Sequence, residues 1–486
     1  MGAERLKVII VGGSVAGLTL AHCLDKAGID YVVLEKRKEI THQEGASILI
    51  LPHGGRILDQ LGIFKSLSQY MEPLHTAHIS YSDGFTHTNR SPQVLTDRII
   101  NSFGIPLALV ERRNLLKVLY NSLPDQSRVQ LGKKVVSLNH HNGRVAVTVD
   151  DGSVHEGDLV VGADGVHSRV RDEVWRLSDA IRSGTVKDKE KKSMAIEYAC
   201  IFGISNGVSG LVAGEQVASL NKGRSFLTFP GRDGRVFWFL MHKLDKKYAY
   251  PGAPRWSPED AEKIAARYID DNIWNGVQFK DIWGKKEVCG ITNLEENIFQ
   301  TWHSGRVVCL GDSMHKMAPN TGQGANCAME DAALLANSLR HYLDGRKGAA
   351  KPSQEDLNTL FENFSRDRIN RLQSIYKMSR IVVRLHAGRN LFLRLMGRYY
   401  LPNTGDVPAN QASKSIASGV YLDYLPLPTY SAPGWQDFAP NSKLFSGSLP
   451  LILSVTLLFG IICWAGRDVH PLSMKSLALL RNHVSQ

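Results

Sequence analysis

The first 35 residues constrain the fold more than any other part of the chain. Lys7–Val11 (KVIIV) is an apolar run of strand length, followed by Gly12-Gly13-Ser14-Val15-Ala16-Gly17 and by the helical stretch TLAHCLDKAG. Gly28 ends that helix, and Tyr31–Glu35 (YVVLE) reads as a second, parallel strand. This is a βαβ unit with a G-x-G-x-x-G turn in which Ser14 replaces the middle glycine. Gly12 permits the tight turn, Gly17 lets helix and strand pack closely, and the helix N-terminus faces a pyrophosphate. Ser14 preserves the backbone approach as long as its small side chain points away from the phosphate. Glu35 stands 18 residues after Gly17, at the end of the second strand, where a carboxylate accepts hydrogen bonds from adenosine ribose hydroxyls. A 2′-phosphate would be repelled there, which excludes NADP from this particular site. The pattern predicts an α/β, Rossmann-like nucleotide-binding domain and leaves FAD and NAD both open.

Two later elements narrow the choice. Val160-Val161-Gly162-Ala163-Asp164-Gly165 is an apolar strand ending in an Asp-Gly turn, and Val307–Asp312 (VVCLGD) ends another strand before a loop with Pro319, Gly322 and Gly324. A helix opens near Gly324, so its N-terminal dipole points at whatever occupies the loop. The reduced N1–C2=O edge of a flavin carries negative charge that such a dipole stabilises. Taken singly, each element has a plainer explanation: the glycines as turns, Asp312 as a helix cap, Arg112 as a surface charge. Their order along one chain carries the information.

In that order the elements resemble the flavin monooxygenases of the para-hydroxybenzoate hydroxylase class. EGASILILPHGGRILDQLG, EYACIFGIS and GRVFWFL are similar to fungal FAD-dependent epoxidases of indole-diterpene and meroterpenoid pathways, and the likeness runs roughly from residue 5 to residue 400. The resemblance implies that Gly12, Gly13, Ser14 and Gly17 hold FAD, that Glu35 binds the adenosine ribose, and that Asp312 binds the ribityl chain. Ala325, with Gly322 and Gly324, would lie by the flavin, joined by Asp164 and by Arg112 (in ERRNLL), which opens a helix near FAD. Leu49 falls where relatives usually carry a glycine, so only its backbone contact carries over.

The resemblance further implies NADPH as reductant and O2 as oxidant, with one oxygen atom passing to an alkene to give an epoxide and the other leaving as water. An alkene has no ionisable proton, so no strong acid or base is required, whereas phenol hydroxylation benefits from a base near the ring. Tyr198, in EYACIFGIS, is the candidate catalytic residue, as an orienting or proton-donating group; a packed aromatic is the other reading. The expected substrate is a hydrophobic prenyl chain on an aromatic or indole head, and a membrane terpene cyclase is implied as a later partner. Three alternatives stay open: an aromatic-ring hydroxylase on the same fold, a non-oxygenating flavin oxidase, and a non-enzymatic binder of FAD or a prenyl chain. The 17 histidines show no ligand spacing, so no metal site is expected.

Charge and hydropathy fix the organisation. The net charge is +11, and nine basic residues between Arg366 and Arg398 face only Asp367, so that stretch carries most of the excess. Basic and apolar residues alternate there as a helix could sort them, which suits a membrane-surface helix or a packed C-terminal helix; nucleic acid lacks any recognition motif. Leu444–Gly466 is 23 residues without a charge, enough to cross a bilayer core of roughly 30 Å at about 1.5 Å per helical residue. Six prolines between Leu401 and Pro440 read as an extended linker. The expected order is an FAD-binding part (1–175), an inserted substrate-domain β-sheet (176–300), the FAD-binding completion with basic helices (301–400), a linker (401–443), a transmembrane helix (444–466) and a tail (467–486). The N-terminus lacks a signal-peptide pattern. The expected placement is a single-pass protein with a cytosolic body, on the endoplasmic reticulum.

Overall fold

A computed structural model describes residues 6–43, 45–89, 102–141, 143–346, 351–404, 407–430 and 432–439. The nucleotide fold is built as the apolar runs require. Lys7–Val11 lies between Asp30–Glu35 and Leu159–Gly162, all parallel, with Val129–Leu131 beyond one side and Val307–Cys309 beyond the other. These central strands are covered on both faces, which is why they read as unbroken Val/Ile/Leu rather than as alternation. Helix α1 (Val15–Lys26) crosses from the first strand to the second. Helix α2 (Arg112–Asn121) follows the strand Ala108–Glu111, and α3 (Arg169–Ile181) follows the Asp-Gly turn. Helix α4 (Gln323–Gly345) packs on α1, and α5 (Gln354–His386) packs on α4.

The second layer is an eight-stranded sheet whose centre is Ala195–Asn206, Arg235–Ala249 and Lys286–Ile298, paired antiparallel. Its far edge is Thr76–Tyr81 and Thr86–Asn89, strands from the first part of the chain, so the roof draws on residues outside 176–300. That recruitment ties the roof to the nucleotide fold at two separate points of the sequence.

Of the two readings of Arg366–Arg398, the packed C-terminal helix describes much of the stretch, and the expectation of an extended linker after it needs correction. Arg368 and Arg371 pair with Glu330, Arg368 also with Asp331, Arg384 with Glu197 and Glu296, Arg389 with Glu197, and Arg398 with Asp83. The neutralising carboxylates belong to elements distant in sequence, where a count along one segment does not see them. The proline-rich stretch is not an extended linker: through residue 439 it lies against the body. Tyr424 donates its hydroxyl to the Cys23 carbonyl at 2.6 Å, the Gln60 side chain bonds both backbone groups of Leu422, and Trp435 packs edge-on against Phe103. The expected span 444–466 and tail 467–486 lie outside the described residues. Among the described residues no helix is long and apolar enough to cross a membrane.

Candidate active site

The glycine turn sets the floor of the site. Gly12 has φ +109°, and a Cβ on Gly17 would fall 1.9 Å from the Gly12 carbonyl oxygen, so only glycine permits α1 to start this close to the strand. The buried Glu35 carboxylate accepts the Gly13 N–H at 2.6 Å and the Arg37 N–H at 2.9 Å. Those two amides fix it at the strand end, and each oxygen keeps a lone pair for a ribose hydroxyl. Ser14, the departure from the glycine pattern, accepts a hydrogen bond from Arg112 Nη2 at 2.9 Å. Its hydroxyl therefore holds the guanidinium that opens α2 at the groove, a role the sequence did not reveal.

Asp164 caps α3: its carboxylate accepts the Ser168 hydroxyl at 2.5 Å and the N–H groups of Arg169 and Val170 at 2.7 and 3.1 Å. Burial lifts its pKa above the usual carboxylate value despite these bonds. Asp312 is held by Lys316 Nζ, and both line the same groove. Burial opposes the Lys316 ammonium, but Asp312 outweighs it and the pKa ends raised.

The N-terminus of α4 closes the opposite side. Gly322 takes a left-handed conformation (φ +64°), and no side chain caps the helix. Asn326 Nδ2 donates to the carbonyls of Leu49 and Gly322, both at 2.8 Å, while its Oδ1 accepts the Leu51 N–H. The Leu49 backbone is thus stitched to the turn, as a backbone contact requires, and its side chain fills the space beside Gly322, where a Cβ would fall 2.8 Å away. Gly324 and Ala325 line the cavity beyond. Asn320 Oδ1 and Thr321 Oγ1 are buried with no hydrogen-bond partner among the described residues. Uncapped N–H groups and two orphaned oxygens on one turn suit the polar edge of a flavin.

Gly12, Ser14, Glu35, Arg112, Asp164, Asp312 and the Asn320–Ala325 turn border one cavity of about 2280 Å³ that runs from Glu35 to the roof strands, where Phe202, Phe229, Phe239 and Met241 face it; Gly13, Gly17 and Asn326 stand behind its wall. A single small-molecule pocket spans roughly 300–1,000 Å³, so the space accommodates a dinucleotide and a second, apolar ligand together.

The FAD binding domain family model matches residues 5–353. Over its full 486 residues the chain is 92% identical to the FAD-dependent monooxygenase esdpE of Penicillium shearii, covering 100% of both chains. It belongs to the fungal FAD-dependent monooxygenases of secondary metabolism. It is also 57% identical to the FAD-dependent monooxygenase cle3 of Aspergillus versicolor, covering 94% of each chain. Klebsiella pneumoniae HpxO, solved with FAD and uric acid, shares the fold with a TM-score of 0.68 at 23% identity, covering 85% of this chain and 97% of that one.

In this monooxygenase the structure places Tyr198 away from the cavity. The ring lies in the core beneath the roof, with Arg384 5.9 Å from its centre, and its hydroxyl has no hydrogen-bond partner among the described residues. It shares a strand face with Phe202, but sits four residues further along, where α5 covers the sheet. Burial pushes its pKa up to about 12, so it stays protonated.

Three other groups went unnoticed in the sequence. His386, on the cavity wall, accepts a hydrogen bond at Nδ1 from Asn320 Nδ2 at 3.1 Å, which leaves the ring proton on Nε2; burial drives its pKa down to about 4, so the ring is neutral. Asp331 accepts the Gly311 N–H at 2.7 Å, His315 Nε2 at 2.6 Å and Arg368 Nε at 2.6 Å, so it positions the loop that carries Asp312. Beside it, Glu330 is held by Arg368 and Arg371. The available signal was a Glu-Asp pair inside an otherwise apolar helical run, which must find buried cations.

Proposed function

We propose that this monooxygenase epoxidises an alkene of a prenyl chain carried by an aromatic or indole precursor, with NADPH as reductant. The overall balance is NADPH, H⁺, O2 and alkene giving NADP⁺, water and epoxide. The observation that carries this reading is the roof wall. On the central roof strands (Ala195–Asn206, Arg224–Pro230, Arg235–Ala249) the cavity-facing residues are Phe202, Leu227, Phe229, Phe239 and Met241, with no Asp, Glu, Lys or Arg among them. The titratable lining residues of the sheet, His87 and Lys316, sit on its two edge strands, and Lys316 is paired with Asp312. A wall without a carboxylate or amine suits a substrate that has no proton to lose, and disfavours a phenol that must be deprotonated.

FAD supplies hydride acceptance and O2 activation. The chain's own contribution is to clamp the adenosine end through Glu35, to hold the pyrophosphate region through the glycine turn and Arg112, and to set the α4 N-terminus against the flavin edge. The apolar roof then excludes water and presents one alkene to the reacting face. The prenyl substrate partitions into lipid at about 0.8 kcal/mol per buried CH₂, which accords with attachment through residues 444–466 and a cytosolic body at the endoplasmic reticulum. A terpene cyclase in the same membrane would consume the epoxide. The test is product analysis after supplying a farnesylated or geranylgeranylated indole with NADPH and O2. One added oxygen on the prenyl chain supports the proposal; one on the ring supports an aromatic hydroxylase instead, and H2O2 without product supports an oxidase.

A further inference from the structure

Among the described residues, five of the exposed large apolar side chains (Met378, Ile381, Leu391, Leu395 and Tyr399) fall within one stretch of 22 residues, while others such as Ile181 and Leu427 stand singly elsewhere. After α5 the chain forms α6 (Leu391–Leu395), which continues as a π-helical turn (Met396–Tyr400). Leu391, Leu395 and Tyr399, spaced by four, are 61%, 49% and 57% exposed. The adjoining row, Met396 and Tyr400, lines the cavity. On the end of α5, Ile381 is 48% exposed and also lines the cavity. The apolar stripe therefore passes without a break from the outer surface into the substrate space. Lys377, Arg380 and Arg394 stand on the same two helices with no carboxylate partner among the described residues.

The last described residues reach the wall of the same cavity. Phe438 lines the cavity, and the uncharged run begins at Leu444. Six residue steps reach at most about 20 Å, so an anchor starting there would keep the opening near the bilayer. An apolar stripe flanked by unpaired cations matches lipid on one side and anionic headgroups on the other.

We infer that this rim docks on an anionic bilayer and opens the substrate cavity directly to the lipid. The orientation rests on the proposed membrane attachment; the place of the rim rests on described side chains. A prenyl substrate would then pass from lipid to the roof without crossing water, at a point where burial of Leu391, Leu395 and Ile381 stabilises the contact.

The test uses the full chain carrying Cys289→Ser and Cys463→Ser, reconstituted in vesicles of three parts phosphatidylcholine to one part phosphatidylserine. An environment-sensitive dye is placed at Ile381→Cys, Leu391→Cys or Val154→Cys, the last on the exposed strand Val154–Gly157. Doxyl-labelled lipid should remove at least about half of the emission at 381 and 391 and leave 154 unchanged. Emission at 381 and 391 that matches 154 overturns the inference, whether solvent or a second copy covers the rim. The two rim positions lie on different helices, so one poorly folded variant does not decide the result. Flotation after a high-salt wash reads the anchor separately: protein that floats with unquenched rim probes keeps the anchor and loses the docking. Protein that is quenched in low salt but stripped by salt keeps the docking and loses the anchor. Protein that never floats loses both.

Discussion

At the scale of single residues, the serine in the glycine turn is a positioning device rather than a weakened motif. The hydrogen bond from Arg112 to Ser14 Oγ joins two cavity-lining residues that are far apart in sequence. Hydrogen bonds involving a charged group contribute about 1.5–3 kcal/mol, so Ser14→Gly, although it restores the commoner glycine, should weaken FAD binding about tenfold. Arg112→Ala should weaken it further, and the double variant should match Arg112→Ala alone; strictly additive effects on Kd, measured by flavin fluorescence, would show that the two act separately. His53 supports a second prediction. It is fully buried, 3.9 Å from Glu330. Because Arg368 and Arg371 already neutralise Glu330, burial dominates and lowers the His53 pKa to about 4. The unfolded chain therefore binds this proton first as pH falls. The stability that neutral His53 confers is complete above an unfolded pKa of about 6.5 and declines between there and about pH 4, by roughly 3 kcal/mol at most. Urea midpoints measured across that window should fall with acidification, and His53→Gln should flatten the slope by one proton. An unchanged slope would mean that His53 is protonated in the folded protein.

At the scale of elements, the pair α4 and α5 shows what burial does to charge. Arg368 is enclosed between Glu330 and Asp331, with a third bond to the Cys327 carbonyl at 3.1 Å. Removing one partner of a buried ion pair costs about 3–5 kcal/mol. Arg368→Met should therefore lower stability by that amount in urea titrations and also reduce FAD content, since Asp331 holds the Gly311 N–H. Arg394→Ala, on an exposed helix face, should change stability by less than about 0.5 kcal/mol. Equal losses would place Arg368 outside the ion-pair network. The same helices mark the limit of reading a chain by segment. The βαβ unit and the glycine turns were legible because their chemistry is local: positive φ, close approach and strand-length apolar runs leave their mark within a few residues. The pairing of Arg384 with Glu197 and Glu296 joins α5 to two roof strands, and nothing near Arg384 in sequence announces it. Tyr198 failed as a cavity residue for a related reason. Strand alternation gives the face of the sheet, but how far along that face the cavity extends depends on where α5 lies across it.

At the scale of the whole molecule, the segment after α6 acts as a strap across the nucleotide fold. Prolines at 402, 408, 426, 428 and 433 interrupt regular structure, yet the short helix α7 (Val407–Ala417) and the turns that follow still bury specific side chains. Composition predicts extension because proline restricts the backbone; it says nothing of partners that meet the extended chain. Here Arg56 is stacked between Tyr421 and Trp435, 4.1 and 4.3 Å from the ring centres, and Asn337 of α4 donates to the Tyr421 carbonyl at 2.8 Å. The strap thus touches α1, α4 and the helix Pro52–Gln60, three elements that surround the FAD groove. A chain ending after Ala439 keeps every one of these contacts and should remain folded and yellow. A chain ending after Thr404 exposes Phe103 and the α1–α4 surface and should lose FAD and several kcal/mol of stability. Trp435→Ala isolates the largest side chain of the strap: a buried Trp→Ala costs about 3–5 kcal/mol, and the low end applies where the cluster is small. Urea midpoints and flavin content of the two truncated chains decide the matter. If both retain FAD with the same midpoint, the strap is a passive tether, and only its length, not its packing, connects the catalytic body to the apolar run beyond it.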